Sequence, residues 1–215
     1  MLGSIEKLID MGFRNRVVHT NDLYHIFGGS QGRVQSLVYR AMSAGELIRL
    51  RRGFYILCPK YRSQKPVSFH LANRMVKESY VSFESALAFH GWIPESVPVV
   101  ASTVRSSRSR VLSTALGRFE YIHIPTGKAD FLTMVERVDA GVQSFLVASA
   151  LRAVADIVYE RKLQWTGIEF ITESLRVDEY ELKTVERKDF ELLSSVFRSS
   201  SVRKYLRNLE QELFQ

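Results

Sequence analysis

The sequence predicts an α+β fold in two parts, and three observations support this prediction. Apolar residues recur with helical spacing in several stretches and alternate as in strands in others. The segment from Pro59 to Pro66 is polar and basic, carries two prolines and shows no periodicity, which is typical of a linker. The excess of positive charge lies entirely in residues 1–66. We therefore expect one domain over residues 1–66 and a larger mixed α/β domain, ending in helices, over residues 67–215.

The stretch from Val18 to Leu57 predicts two short helices followed by a hairpin. Thr20 is expected to cap the first helix, because its hydroxyl can accept a hydrogen bond from a free backbone N–H of the first turn. Asp22 follows at a position where the helix dipole favours an anion. The pair Gly28-Gly29 is expected to end this helix, and Ser30 to cap the next one.

The second of these helices has one apolar stripe and an opposite polar face. The stripe has the i, i+3, i+4, i+7 and i+8 spacing of a buried helix face and consists of Val34, Leu37, Val38, Ala41 and Met42. Residues 46–50 and 54–57 predict two strands, joined by a basic tip, Arg51-Arg52-Gly53. This order predicts a winged helix-turn-helix domain, whose second helix enters a DNA major groove while the wing lies along the flanking backbone. The alternative is a small α+β domain whose basic residues only keep it in solution.

Candidates for DNA contact lie on the polar face of the second helix and on the hairpin. Arginine can pair with guanine O6 and N7, and glutamine with adenine, so these residue types can read a base sequence. The candidates for the major groove are Arg33, Ser36, Tyr39 and Arg40, flanked by Gln31 and Gln35. On the hairpin, Arg49, Arg51 and Arg52 are expected to bind phosphates or a minor groove.

The distribution of charge supports the same interpretation. Residues 1–66 contain 11 Lys and Arg against 4 Asp and Glu, and this excess equals the formal net charge of the whole chain, +7. The remaining 19 basic and 19 acidic residues cancel. Neutralisation of phosphates by Lys and Arg supplies most non-specific affinity for DNA, so the asymmetry is expected of a DNA-binding arm. Chance clustering on a solvated basic face is the competing explanation.

The larger part is predicted to combine helices with strands. Helices are expected from about Ser68, from a Ser82 cap to Gly91, and from a Ser149 cap to about Arg161. A short helix is expected near 168–175, and one or two amphipathic helices over 188–214 with an interruption at 199–201. Strands are expected over 97–104, 119–124, 131–138 and 142–147.

A second basic cluster, Arg105, Arg108 and Arg110, lies in a Ser-rich stretch outside the first 66 residues. It can extend a DNA surface, contact RNA or receive an acidic protein partner. A loop that is merely solvated is an equally good explanation, because charge runs in loops usually face water.

Composition argues for a cytoplasmic protein without a membrane anchor. Cys58 is the single cysteine, so no internal disulfide is possible, which fits a reducing compartment. The first residues lack the basic and apolar regions of a signal peptide, and no apolar run approaches the roughly 20 residues needed to cross a bilayer.

Catalytic and metal-binding patterns are weak throughout, so we expect no enzyme activity, cofactor or metal. Gly28-Gly29-Ser30 is compatible with the opening of a nucleotidyltransferase site, but the carboxylates that such a site needs for its metals are missing, since no Asp-x-Asp occurs. The histidines do not have metal-binding spacing. One enzymatic alternative stays open, an RNA-modifying or hydrolytic activity in the larger domain around Glu84, His90 or His123. His90 is otherwise expected to cap the end of its own helix.

Five stretches resemble, in this order, the AbiE-type (type IV) antitoxins of bacterial phage-defence and toxin–antitoxin loci. The wing stretch alone occurs in many winged helices, but its combination with Val81-Ser-Phe-Glu-Ser-Ala-Leu-Ala-Phe-His-Gly91 is considerably more specific. The resemblance covers roughly residues 15–175 and lies in His19–Gly28, Gly45–Tyr55, Tyr80–Gly91, Gly117–Ile124 and Ala148–Asp156.

This resemblance implies a repressor of its own operon that is also an antitoxin. The N-terminal winged helix would bind double-stranded operator DNA, and homodimers on palindromic operators are usual for such proteins. The larger domain would counter a nucleotidyltransferase-like toxin, typically without a stable complex. The main alternative is a protein-interaction module built on a winged-helix scaffold, without specific DNA binding.

Overall fold

A computed structural model describes residues 2–94, 97–106, 108–127 and 129–215. The predicted fold class, α+β, is confirmed, with helices packed on a mixed six-stranded sheet. None of the helices in these ranges combines the length and the apolar content that a membrane crossing requires.

The N-terminal elements include the predicted two helices followed by a hairpin, preceded by a further helix and a two-residue strand. They are α1 (Leu2–Asp10), β1 (Val18–His19), α2 (Thr20–Phe27), α3 (Gln31–Ser43), β2 (Leu47–Arg51) and β3 (Phe54–Leu57). The strands form a small antiparallel sheet in the order β1-β3-β2. A short 3₁₀ helix, Pro59–Tyr61, occupies part of the predicted linker.

Capping of α2 differs from the prediction, whereas capping of α3 agrees with it. The N-cap of α2 is His19, not Thr20, because the Asp22 carboxylate accepts from the His19 backbone N–H at 2.8 Å and His19 Nδ1 accepts from the Asn21 backbone N–H at 3.1 Å. The Thr20 hydroxyl instead donates to the Gly53 carbonyl at 3.3 Å. Ser30 caps α3 as predicted, with its hydroxyl accepting from a backbone N–H at 3.3 Å.

The larger part begins with a helix, as predicted from Ser68. Its elements are α4 (Ser68–Met75), β4 (Ser79–Val81), α5 (Phe83–Phe89), β5 (Val99–Val104), β6 (Arg110–Thr114), β7 (Gly117–His123), β8 (Val135–Ala140), β9 (Gln143–Ala148), α6 (Ala150–Glu160), a π-helical turn (Phe170–Ser174), α7 (Glu179–Leu182), α8 (Arg187–Val196) and α9 (Ser200–Leu213). The strand expected over 131–138 is wrong in its first half, since residues 131–134 form turns and β8 runs over 135–140.

The six strands form one mixed sheet in the order β6-β7-β5-β4-β9-β8. The pairs β5–β7 and β4–β9 are parallel, and the other pairs are antiparallel. β6 and β8 are therefore the two edges, and β2 packs beside β6.

Apolar side chains form two clusters of different size. The smaller one joins α1, α2 and α3 to the small sheet through residues such as Leu8, Leu23 and Val34. The larger one fills the space between the six-stranded sheet and its helices, and it includes Val17, Leu50 and Ile56 from the N-terminal part. The predicted linker therefore separates the two parts along the chain, but three N-terminal side chains are buried in the core of the other part.

A polar network lies at the centre of the larger core. Arg152 and Asp156 are both 0 % exposed and pair at 3.1 Å along α6. The second Asp156 oxygen accepts from the hydroxyls of Ser82, Tyr80 and Thr103 at 2.7, 3.0 and 3.0 Å. Ser82 therefore does not cap α5, as the sequence had predicted, because its hydroxyl points to this carboxylate. Each nitrogen of the Arg152 guanidinium and each oxygen of the Asp156 carboxylate has a hydrogen-bond partner within the protein.

Candidate nucleic-acid interface

The polar face of α3 is open to solvent over its whole length. Its buried side is the predicted stripe, with Val34, Val38 and Ala41 buried against α1, α2 and the small sheet. All six predicted reading residues are exposed: Gln31, Arg33, Gln35, Ser36, Tyr39 and Arg40. The arrangement is one in which the side chains of this face can reach a ligand as large as a duplex.

The exposed residues of α3 divide into two flanks around a central ridge. At 100° per residue, Ser36 and Tyr39 lie opposite the buried stripe, Arg33 and Arg40 on one side of them, and the glutamines on the other. The Tyr39 ring is 72 % exposed, and the Arg40 Nε donates to the Ser36 carbonyl at 3.3 Å. The two arginines are thus placed on one flank, about two turns of helix apart.

A shallow groove runs between α3 and the hairpin. It has a volume of about 230 Å³, and its polar lining includes Gln35, Tyr39 and Arg49. Arg49 is exposed and lies on β2. The structure therefore brings one predicted hairpin residue next to the reading face of the helix.

The hairpin tip is shorter than the prediction and is held against α2. Only Arg52 and Gly53 form its turn, because β2 extends to Arg51. The Gly53 carbonyl accepts from the Thr20 backbone N–H at 2.9 Å, and Gly53 has a φ of +81°, a conformation that favours glycine. Arg52 is exposed at this tip and can contact a phosphate without any extended wing.

Arg51 is half-buried and faces the six-stranded sheet. Its guanidinium carbon lies 3.9 Å from the centre of the Phe54 ring. Burial, followed by the nearby positive charge of Arg110, lowers the pKa of Arg51 from its ordinary value. Arg51 therefore belongs to a contact between the two parts of the chain, although the sequence predicted it on a free wing.

A cleft of about 690 Å³ joins the hairpin, α3 and the sheet. Its lining includes four predicted residues, Gln31, Gln35, Arg51 and Arg52, and Arg110 from the second basic cluster. Lys77 also lines it and was missed by sequence reasoning. No spacing relates position 77 to the hairpin, so only a prediction of the tertiary contact would have found it.

The second basic cluster is divided by the fold. Arg105 pairs with Glu78 at 3.0 Å, and Arg108 is exposed without being part of the cleft lining. Arg110 lies in the cleft, where its Nη2 donates to the Ser106 hydroxyl at 3.3 Å. Only one of the three predicted residues is therefore brought next to the candidate interface.

The three residues of the enzymatic alternative do not meet in one pocket. Glu84 pairs with Arg161, His123 Nδ1 contacts the Val104 carbonyl at 3.3 Å, and His90 Nε2 contacts the Ala148 carbonyl at 2.8 Å. His90 is the C-cap of α5, as predicted, since its backbone N–H donates to the Ala86 carbonyl at 3.0 Å, and its ring in addition ties α5 to β9. It lines a cavity of about 470 Å³ in which neither Glu84 nor His123 takes part. Among the described residues no group of three or more His, Cys, Asp and Glu side chains is arranged to hold a metal.

No protein-family model matches the chain, and a search of curated proteins finds no match to it.

Proposed function

We propose that this protein is a sequence-specific DNA-binding repressor that uses an N-terminal winged helix-turn-helix. The observation that carries the proposal is the exposed face of α3, where Arg33 and Arg40 are open to solvent while the opposite side of the helix is buried. In helix-turn-helix proteins the second helix presents such a face to the base edges of the major groove.

Topology and charge support the proposal independently. The order of helix, strand, two helices and hairpin, with the sheet order β1-β3-β2, is compatible with a winged helix. The whole formal excess of positive charge lies in residues 1–66, which contain α3 and the hairpin. Arg49 and Arg52, both exposed, are positioned for phosphates beside the helix.

The biological role that we propose is that of an antitoxin of a type IV, abortive-infection system. It rests on the resemblance of five sequence stretches to AbiE-type antitoxins. The protein would repress its own operon in the cytoplasm and counter a cognate nucleotidyltransferase-like toxin without forming a stable complex with it. A nucleotidyltransferase-like reading frame directly downstream would support this role, whereas an unrelated neighbour would leave only the regulator.

The test of DNA binding is a titration of duplex DNA that precedes the protein's own reading frame. Arg33→Ala and Arg40→Ala should each weaken binding by about 1–3 kcal/mol if each arginine pairs with a guanine. Arg137→Ala is the matched control, because Arg137 is exposed on β8, at the edge of the sheet opposite β6. It removes the same charge from a distant surface, so it should bind as the unmodified protein does.

Salt dependence separates DNA binding from the alternative of a protein-interaction module. Binding through several Lys and Arg contacts should weaken by orders of magnitude between about 50 and 200 mM salt. A mainly apolar interface with a protein would change little. The proposed reading face is wrong if both arginine variants bind the duplex as tightly as the control.

A further inference from the structure

The cleft between the hairpin and the six-stranded sheet concentrates positive charge from both parts of the chain. Arg51 and Arg52 come from the hairpin, Lys77 from the turn between α4 and β4, and Arg110 from the start of β6. None of the described residues that line the cleft is acidic. Four cations gathered around one opening repel each other, and a bound anion would relieve that repulsion.

The acidic residue next to Lys77 in the sequence forms an ion pair outside the cleft. Glu78 directly follows Lys77, but its carboxylate pairs with Arg105 at 3.0 Å, and Arg105 does not line the cleft. The cations of the cleft are therefore not neutralised by this neighbour. Burial, followed by the positive charge of Arg110, lowers the pKa of Arg51.

The geometry of Arg51 suits a phosphate. Its guanidinium carbon lies 3.9 Å from the centre of the Phe54 ring, and Arg51 lines the cleft. A planar guanidinium held in this way can form parallel hydrogen bonds to phosphate oxygens with little further ordering. The hydroxyl of Thr20 and the amides of Gln31 and Gln35 lie in the same lining.

We propose that this cleft is a binding site for a phosphate group, held jointly by Arg51 and Arg52 of the hairpin and by Lys77 and Arg110 of the larger part. The inference deepens the proposed function and rests on it where the phosphate belongs to duplex DNA. Because Gln31 and Gln35 extend from α3 into the cleft, a DNA strand leaving the reading face would place a backbone phosphate there. A free phosphate compound is the other source of the same chemistry.

The first arm of the test measures duplex affinity as a function of salt. Lys77→Ala and Arg110→Ala should each lower the slope of log affinity against log salt by about 1, because each removes one phosphate contact. Arg137→Ala is the control, since it removes a charge from β8, at the edge of the sheet opposite β6 and outside the cleft lining, and it should leave the slope unchanged. Circular dichroism of each variant checks that the fold is kept.

The second arm titrates inorganic pyrophosphate into the protein without DNA and follows arginine side-chain NMR signals. Saturable shifts that disappear in Arg110→Ala but not in Arg137→Ala support the site even if the protein binds no duplex, in which case the proposed function fails and the phosphate site stands. Loss of DNA binding in Arg33→Ala and Arg40→Ala, with Lys77→Ala and Arg110→Ala unchanged in both arms, overturns the site and leaves the proposed function intact.

Discussion

At the scale of single residues, the buried ion pair Arg152–Asp156 is the feature that costs most to remove from water. Both side chains are fully buried, and the Arg152 Nη2 donates to the Tyr80 hydroxyl at 2.7 Å while Nη1 donates to the Thr133 carbonyl at 3.1 Å. Burial, followed by the negative charge of Asp156, raises the pKa of Tyr80 well above its ordinary value. Tyr80 therefore stays protonated and keeps its hydrogen bond to the carboxylate.

Replacing Arg152 by methionine should destabilise the protein by about 3–5 kcal/mol, because it leaves the Asp156 charge buried without its partner. Urea unfolding followed by circular dichroism measures the change. Arg161→Met is the matched control, since Arg161 follows the same helix and pairs with Glu84 at a partly exposed position. That exposed pair contributes about 0–1 kcal/mol. Equal losses for the two variants would contradict the proposed cost of the unpaired buried charge.

The sequence could predict the apolar half of α6 but not this network. Leu151, Val154, Ile157 and Val158 have the spacing of a buried stripe, and all four are buried. Arg152 and Asp156 interrupt that pattern, and charged residues ordinarily lie outside. Their burial depends on hydroxyls from β4, its following residue and β5, which no local spacing connects to α6.

At the scale of elements, local signals located the two helices and the hairpin of residues 20–57 to within one or two positions. Ser30 caps α3 and Ala44 follows its last residue. The signals for these two ends are Gly28-Gly29-Ser30 before the helix and Gly45 after it. The first turn of α2 was assigned to the wrong cap, since Thr20 has a competing acceptor in the hairpin tip. That acceptor is 33 positions away in the chain and invisible to a local rule.

The hairpin turn and α3 should respond oppositely to the same substitution. Gly53→Ala should destabilise the protein by more than about 1 kcal/mol, because φ is +81° there and a Cβ would lie 3.3 Å from the Thr20 hydroxyl. Gly32→Ala should stabilise it by about 0.5–1 kcal/mol, since Gly32 lies inside α3 and a Cβ would meet nothing within 4 Å. Thermal unfolding of both variants tests the pair. A stabilised Gly53→Ala variant would show that the tip is not held as the structure has it.

At the scale of the whole molecule, the cleft could not be predicted, although three of its four cationic residues, Arg51, Arg52 and Arg110, were candidates. Arg51 and Arg110 meet because β2 packs beside β6, an edge strand of the other sheet. In the sequence, the excess of positive charge lies in the first 66 residues, and Arg110 belongs to a separate Ser-rich stretch. Tertiary packing, which joins distant positions of the chain, creates the common site.

A fragment of residues 1–66 should be less stable than the same segment in the full chain. Val17, Leu50 and Ile56 belong to the larger core, and removing residues 67–215 exposes surface on all three. Full exposure of such a side chain costs about 1.5–3 kcal/mol, so partial exposure of three is a substantial loss for a small domain. Circular dichroism melts of the fragment and the full chain provide the comparison. A fragment that melts at or above the temperature of the full chain would show that the first part folds without support.

The parallel pairing of β4 with β9 also governs how the protein forms during translation. The edge of β4 that pairs with β9 stays uncovered until Val147, the partner of Val81, has been synthesised. Synthesis proceeds at about 5–20 residues per second. For several seconds a central, apolar strand is therefore open to any extended peptide that meets it. During this interval we expect the growing chain to depend on the ribosome and on chaperones to keep β4 from pairing with other peptides.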